Sequence, residues 1–293
     1  MYRKKTIGVR VVIKICLVTD IHHGKNRFSG VYNNALPFIK SFNDFCDYHK
    51  PDYVIELGDR IHDSGYERDF ELESEVATMF SQNKFKIFHI NGNHDLDNLS
   101  FEDNSKIFNQ REESECLELD EFNLAIWRAE AKMENTDNFQ GPHIRESDLD
   151  WLLKVCRESK KTLLIFSHIP LSGRSQIGNV FFENNEALSK YTCSGEIRNI
   201  LKQSINATFC FSGHIHQNTY TQVDGISHFT QQSLTETYVK EDQTTNSMGL
   251  IELGENLTWE VFGNDRIKIE QPINAGNWAS PIEKMKPKST ENK

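Results

Sequence analysis

The sequence predicts an α/β fold built on a mostly parallel sheet, and three observations predict it. Short apolar runs alternate with amphipathic stretches through the first half of the chain. Five of the apolar runs break off into Asp, Asn or His. Beyond His216 the pattern changes to paired β-rich runs joined by turn residues.

The first run, Val11–Val18, reads as a buried strand leading into Asp20-Ile21-His22. Arg3, Lys4 and Lys5 ahead of it loosely mimic a secretion leader, but Arg10 and Lys14 interrupt the apolar stretch and no small-residue cleavage site follows. A helix is expected over Tyr32–His49, where Leu36, Ile39, Phe42, Phe45 and Cys46 recur at helical spacing, and Lys50-Pro51-Asp52 stops it. Tyr53–Leu57 is the second strand and ends in Gly58-Asp59. Glu67–Ser81 is an amphipathic helix with Phe70, Val76, Met79 and Phe80 on its apolar side. Phe85–Ile90 is a third strand, ending in Gly92-Asn93-His94-Asp95. Strand–helix–strand order of this kind implies parallel pairing.

The acidic stretch Leu96–Asp120 is weakly periodic and is expected as surface helix and loop, followed by a strand over Phe122–Trp127. Ser147 is a candidate N-cap for a helix through Ser159 that buries Leu149, Leu152, Leu153 and Cys156. Leu163–Phe166 runs into His168, and the Gly/Ser/Asn-rich segment Leu171–Tyr191 after it lies where a substrate-facing loop belongs. Ala207–Phe211 runs into Gly213-His214-Ile215-His216. Two hairpins follow, Thr219–Val223 with Ile226–Thr230 and Met248–Leu253 with Leu257–Phe262, and these are expected to form a second sheet packed on the first. Residues 10–270 form one domain in this reading, and 271–293 form a surface tail.

Composition narrows the function. The chain has 293 residues, 37% of them hydrophobic and 11% aromatic, so it can bury a large core. Its net charge of −10 argues against non-specific binding to nucleic acid or anionic membranes. No run is long enough to span a bilayer. The six cysteines are scattered with no Cys-x-x-Cys pair, which places the protein in a reducing, cytoplasmic setting.

Open α/β sheets place their ligands outside the carboxyl ends of the strands, and that is where the five polar endings fall. Asp20 and His22 alternate along a segment expected to be extended, as do His214 and His216, so each pair can point one way. Carboxylate oxygens with imidazole nitrogens and no thiolate suit Mn, Fe, Zn or Co. Two ions need a shared ligand, and Asp59 is the natural carboxylate bridge; Asn93 offers a neutral carbonyl oxygen. Two divalent ions against Asp20 and Asp59 leave about two positive charges, enough to lower the pKa of bound water and hold a phosphoryl oxygen. Each fragment alone is an ordinary turn or a packed histidine. Five in order are not.

At this point the chain resembles the calcineurin-like metallophosphoesterase superfamily, whose pattern D-x-H … G-D … G-N-H-D/E … H … G-H-x-H runs here from Asp20 to His216. Its layout looks most like the bacterial single-domain, cyclic-nucleotide-phosphodiesterase-like branch. The resemblance implies a four-layer α/β/β/α sandwich of two mixed sheets. It implies one metal held by Asp20, His22, Asp59 and His216 and a second by Asp59, Asn93, His168 and His214. It also implies attack by a metal-bridging hydroxide, with His94 on the phosphoryl group and leaving oxygen and Asp95 supporting the loop.

His62, three residues after Asp59, is a candidate acid/base or supporting residue, as is Asp63 for orienting His94. Arg60 and Arg174 are candidates for phosphate contact, since a guanidinium matches two phosphoryl oxygens. His23 would point away. The expected activity is hydrolysis of a small, nucleotide-like phosphodiester. A phosphomonoesterase of the same fold is the close alternative. An exonuclease ranks third, and a scaffold that has lost its metals ranks last. Oligomeric state is not readable.

Overall fold

The computed structural model describes residues 12–26, 33, 35–133, 141–237 and 243–273. The first strand, β1 (Ile13–Val18), is followed by helix α1 (Leu36–His49), β2 (Tyr53–Glu56), α2 (Tyr66–Phe80) and β3 (Ile87–His89). β1 pairs in parallel with β2, and β2 with β3. The second series is α3 (Phe101–Phe108), β4 (Glu115–Glu118), β5 (Phe122–Ile126), α4 (Glu146–Glu158), β6 (Thr162–Phe166), α5 (Ser194–Leu201) and β7 (Thr208–Ser212). β8 (Thr219–Val223), β9 (Ile226–Thr230), β10 (Met248–Leu253), β11 (Asn256–Phe262) and β12 (Ile267–Pro272) complete the chain.

Two six-stranded mixed sheets result, in the orders β12-β11-β10-β1-β2-β3 and β4-β5-β6-β7-β9-β8. Between them lies the central core, with Leu17, Ile55 and Trp259 of one sheet against Leu164, Phe211 and Phe229 of the other. The rings of Phe166, Phe211 and Phe229 stack in sequence at 5.4 and 4.7 Å. α1 and α2 cover the outer face of the first sheet through Ile39, Phe42, Leu72 and Val76. α4 and α5 cover the second through Leu152, Cys156, Ile197 and Leu201. The four layers are therefore helix, sheet, sheet, helix. Among the described residues no helix is long and apolar enough to cross a membrane.

Several expectations are corrected. The late antiparallel strands do not make a sheet of their own. β10 pairs antiparallel with β1 and extends the first sheet, whereas β9 pairs in parallel with β7 and extends the second. A hairpin's periodicity sets which face is buried but not which existing edge it joins. The acidic 96–120 segment is more regular than expected: Ser100 and Asp103 form a capping box at the start of α3, and β4 follows. α4 begins at Glu146 with Arg145 as N-cap, not Ser147. Phe70 is exposed, and α2 instead buries Leu72 with the polar Asp69 and Glu73. α1 starts at Leu36, with a proline in its first turn. The last described strand, β12, runs through Pro272. Tyr32 and residues 274–293 of the expected tail lie outside the described residues.

Candidate metal centre

β1, β2, β6 and β7 are neighbouring or facing strands, and the segments leaving their carboxyl ends meet. Asp20, His22, Asp59, His214 and His216 all have positive φ, between 50° and 70°, and make up five of the nine non-glycine residues with that conformation among those described. The Asp20/His22 and His214/His216 pairs are thus not extended. They converge because each backbone turns left-handed past its strand, a strained state that the surroundings must hold.

Backbone bonds hold it. The amides of Asp20 and His22 donate to the carbonyls of Gly58 and Asp59, both at 2.9 Å, and His62 N–H donates to His23 C=O at 3.0 Å. Asp95 gathers the other loop ends: its Oδ2 accepts from the amides of Asp59 (2.9 Å) and Gly92 (2.8 Å), and its Oδ1 from Arg60 (2.8 Å). His214 N–H donates to Asp20 Oδ2 at 2.9 Å. Gly92 and Gly213 are required by close approach, since a Cβ at the first would collide with Asp59 and at the second with Thr19 and Asp20.

The expected ligands fall into two clusters, and a third group, His22 with His62 and His94, adjoins the first. Asp20, His22, Asp59 and His216 present ligand atoms all within 4.8 Å of one another, and so do Asp59, His168 and His214. Asp59 belongs to both. In the first, His22 Nε2 and His216 Nε2 lie 2.9 Å apart, and His216 Nε2 is 3.4 Å from Asp20 Oδ1. In the second, His168 Nε2 lies 3.3 Å from Asp59 Oδ2 and 3.2 Å from the Asn93 amide oxygen. All six of the Asp and His ligand candidates except His216 are essentially buried.

The donor set fits a pair of divalent cations. Each of three histidines has one ring nitrogen occupied away from the cluster, which orients the other toward it. His168 Nδ1 donates to the Leu57 carbonyl at 2.9 Å, His214 Nε2 to Leu188 C=O at 2.8 Å, and His216 Nδ1 faces Glu236 Oε2 at 3.1 Å. His214 Nδ1 is buried with no hydrogen-bond partner among the described residues, a polar atom that a cation would satisfy. Electrostatics agree. Burial lowers the His22 pKa and His216 adds to it, keeping that ring neutral, as a ligand must be. Burial would also lower His216, but Asp20 and Glu236 outweigh it and raise it to about 10; the same contest, with Asp59, raises His168 to about 9. The carboxylates thus draw positive charge onto His168 and His216, the charge that a cation would supply in its place.

Beside the clusters stand three imidazoles. The His94 ring is 4.9 Å from His22 and 5.3 Å from His62, and its Nδ1 contacts Asp63. Burial opposes charge on His94, yet Asp59 and Asp63 raise its pKa. His23 turns away to α2, its Nε2 2.7 Å from Glu75.

Of the two arginines expected to contact phosphate, Arg60 is turned away from the centre. Arg60 is fully buried behind the centre, where its guanidinium meets Glu56 and Glu73 (both 2.9 Å), Ile90 C=O, Asn91 and Asn104 (each 2.8 Å). Every donor faces protein, so it cannot reach a phosphate. Arg174 is exposed and lines a cavity of about 620 Å³ with Ile177, Tyr220 and Asp224, which no candidate ligand enters. Glu236 and the Leu188 carbonyl are not legible in the sequence, because both reach their histidines from segments without a motif.

A four-layer sandwich with twin Asp/His clusters joined by one carboxylate defines a two-metal hydrolase of phosphoric esters. The profile of the calcineurin-like phosphoesterases matches residues 13–218, and the chain belongs to that family; it is a metal-dependent phosphoester hydrolase. No curated protein matches the chain. Among solved structures, a dimetal phosphatase from Danio rerio is 16% identical with a TM-score of 0.69, over 90% of this chain and 99% of that one. A purple acid phosphatase from seeds of yellow lupin (Lupinus luteus) is 12% identical with a TM-score of 0.53, over 87% of this chain and 52% of that one. GAP50, the anchor in the inner membrane complex of Plasmodium, is 10% identical with a TM-score of 0.52, over 90% and 89%. At such identities the likeness concerns the fold.

Proposed function

We propose that the protein is a dinuclear phosphodiesterase for a small, nucleotide-like ester, of the cyclic-nucleotide-phosphodiesterase-like branch and cytoplasmic. The observation that carries the reading is the sharing of Asp59 between the two clusters. In it Asp20, His22, Asp59 and His216 hold one ion, and Asp59, Asn93, His168 and His214 hold the other. When bound, two Mn, Fe, Zn or Co ions supply an activated water at neutral pH and positive charge against the phosphoryl oxygens.

The protein's own groups do the rest. His94, whose pKa is raised by Asp59 and Asp63 against its burial, is a quarter exposed at the edge of the centre and is placed to give a proton to the departing alkoxide. His62 flanks it and narrows the phosphoryl site. Asn93 presents its amide to substrate as well as metal. The positive charge facing the phosphoryl group then comes from cations and imidazoles, since the Arg60 guanidinium is spent on buried carboxylates. That favours the single negative charge of a diester over the double charge of a monoester. The names of the zebrafish and lupin relatives favour the monoester instead.

Initial rates on bis-p-nitrophenyl phosphate and p-nitrophenyl phosphate with added Mn²⁺ separate the two. The diester should be faster; a much faster monoester reaction reverses the order. EDTA should abolish both reactions and Mn²⁺ should restore them, whereas chelator-resistant turnover would contradict a metal requirement. His94→Ala should lower kcat by roughly 10²–10⁴ with metal content unchanged by elemental analysis. If turnover survives, His94 is not the acid.

A further inference from the structure

The loop between β6 and α5 exposes three apolar side chains and touches the metal centre through Phe182. Ile177 is 67% exposed, Val180 74% and Phe181 41%. Soluble proteins scatter such residues singly, and a rigid group of them marks an interaction site. This group is rigid by construction. Asn179 is buried; its side-chain amide donates to Ile215 C=O at 2.7 Å, and its Oδ1 accepts from the amides of Phe181 and Phe182, both at 2.9 Å. Ile215 separates two candidate ligands, and Leu188 of the same loop holds the third contact, to His214.

The apolar group also continues directly from the centre. The Phe182 ring lies 5.3 Å from that of His214, and the Phe181 ring 4.9 Å from Phe182. Two successive contacts of those lengths put Phe181 no more than about 10 Å from a candidate metal ligand. A substituent on a phosphoryl group at the centre would have to span about that distance to meet Phe181.

We propose that Val180 and Phe181 form a ledge that receives a planar aromatic ring of the substrate, so that esters carrying a nucleobase-like ring are preferred over those with small aliphatic groups. The proposal rests on the phosphodiesterase reading and specifies its substrate. An aromatic side chain stacks on any base through its face, with little dependence on which base it is.

The test compares wild type with a Val180→Ser/Phe181→Ser double variant, whose exposed sites tolerate the change. Mn²⁺-loaded protein is titrated with thymidine 5′-monophosphate and with methyl phosphate, and kcat/KM is measured for p-nitrophenyl thymidine 5′-phosphate and methyl p-nitrophenyl phosphate. Wild type should favour the thymidine ligand on the order of 10-fold, and the double variant should lose that preference. Phe181→Tyr should retain it. An undiminished preference in the double variant, or none in wild type, overturns the ledge. Dimerisation lost in the double variant with ligand preference unchanged also overturns it and assigns the patch to self-association. If the binding preference behaves as expected but no ester is hydrolysed, the ledge stands and the phosphodiesterase reading falls.

Discussion

Asp59→Asn should strip the protein of tightly held metal and lower kcat for any phosphoester by a factor on the order of 10³ or more. Removing a residue that merely supports a metal ligand costs 10- to 100-fold in affinity or activity. Asp59 stands in both clusters, so its loss weakens two coordination spheres at once and takes a negative charge from each. The fold should survive, because the amides of Asp59 and Arg60 remain anchored on Asp95 and the substitution is isosteric. Asn at this position also keeps an acceptor for the His94 amide, which Asp59 Oδ1 holds at 3.0 Å. Elemental analysis and circular dichroism on the same sample read the two halves of this expectation. Full metal content in the variant would show that the shared carboxylate is dispensable.

Arg60→Met should act through stability. Arg60 is packed among Glu56, Glu73 and Asp95, all fully buried, with its guanidinium 4.5 Å from the centre of the Phe108 ring. Removing one partner of a buried ionic network leaves uncompensated charge and costs about 3–5 kcal/mol. For a domain of this size that corresponds to roughly 10 °C in Tm. Burial already raises the pKa of Glu73 and of Asp95 against the pull of Arg60, so loss of that cation should push both carboxyls further toward their neutral forms. Asp95 in turn fixes the loops of Asp59 and Asn93, so metal affinity should fall with stability. Arg60→Lys should restore part of the charge but not the fork of donors that spans Glu73, Asn91 and Asn104. A Tm within 2 °C of wild type for Arg60→Met, read against the ~10 °C expected, would mean that the network is ornamental.

Arg60 also shows where reading the sequence stops. Its neighbour Asp59 was legible because an apolar run ending in Gly-Asp marks a strand end, and the functional side chains of such sheets gather there. Nothing local says that the next side chain folds back beneath the loop, since the carboxylates that claim it arrive from β2, α2 and the turn after β3. Phe70 differs for a related reason: the periodicity of α2 admits two faces, and the buried one carries Glu73, held by Arg60, and Asp69, held by the nearby Ser64 amide and by the distant Asn98. The parallel cores β1–β3 and β5–β7 were readable from apolar runs alone. The placement of β9 and β10 on different sheets was not, because a strand's alternation does not name its partner. Convergence of the Asp20/His22 and His214/His216 pairs is expected from the sequence, but through extended backbone; Asp and His are enriched in the left-handed turns that achieve it only several-fold, too little to place such turns from residue type alone.

Anomalous X-ray diffraction from Mn²⁺-loaded crystals puts the two-ion centre to its most direct trial. Two peaks about 3.5–4 Å apart should flank the Asp59 carboxylate, one ringed by Asp20, His22 and His216 and the other by Asn93, His168 and His214. A single peak, or density that avoids Asp59, would contradict the centre described.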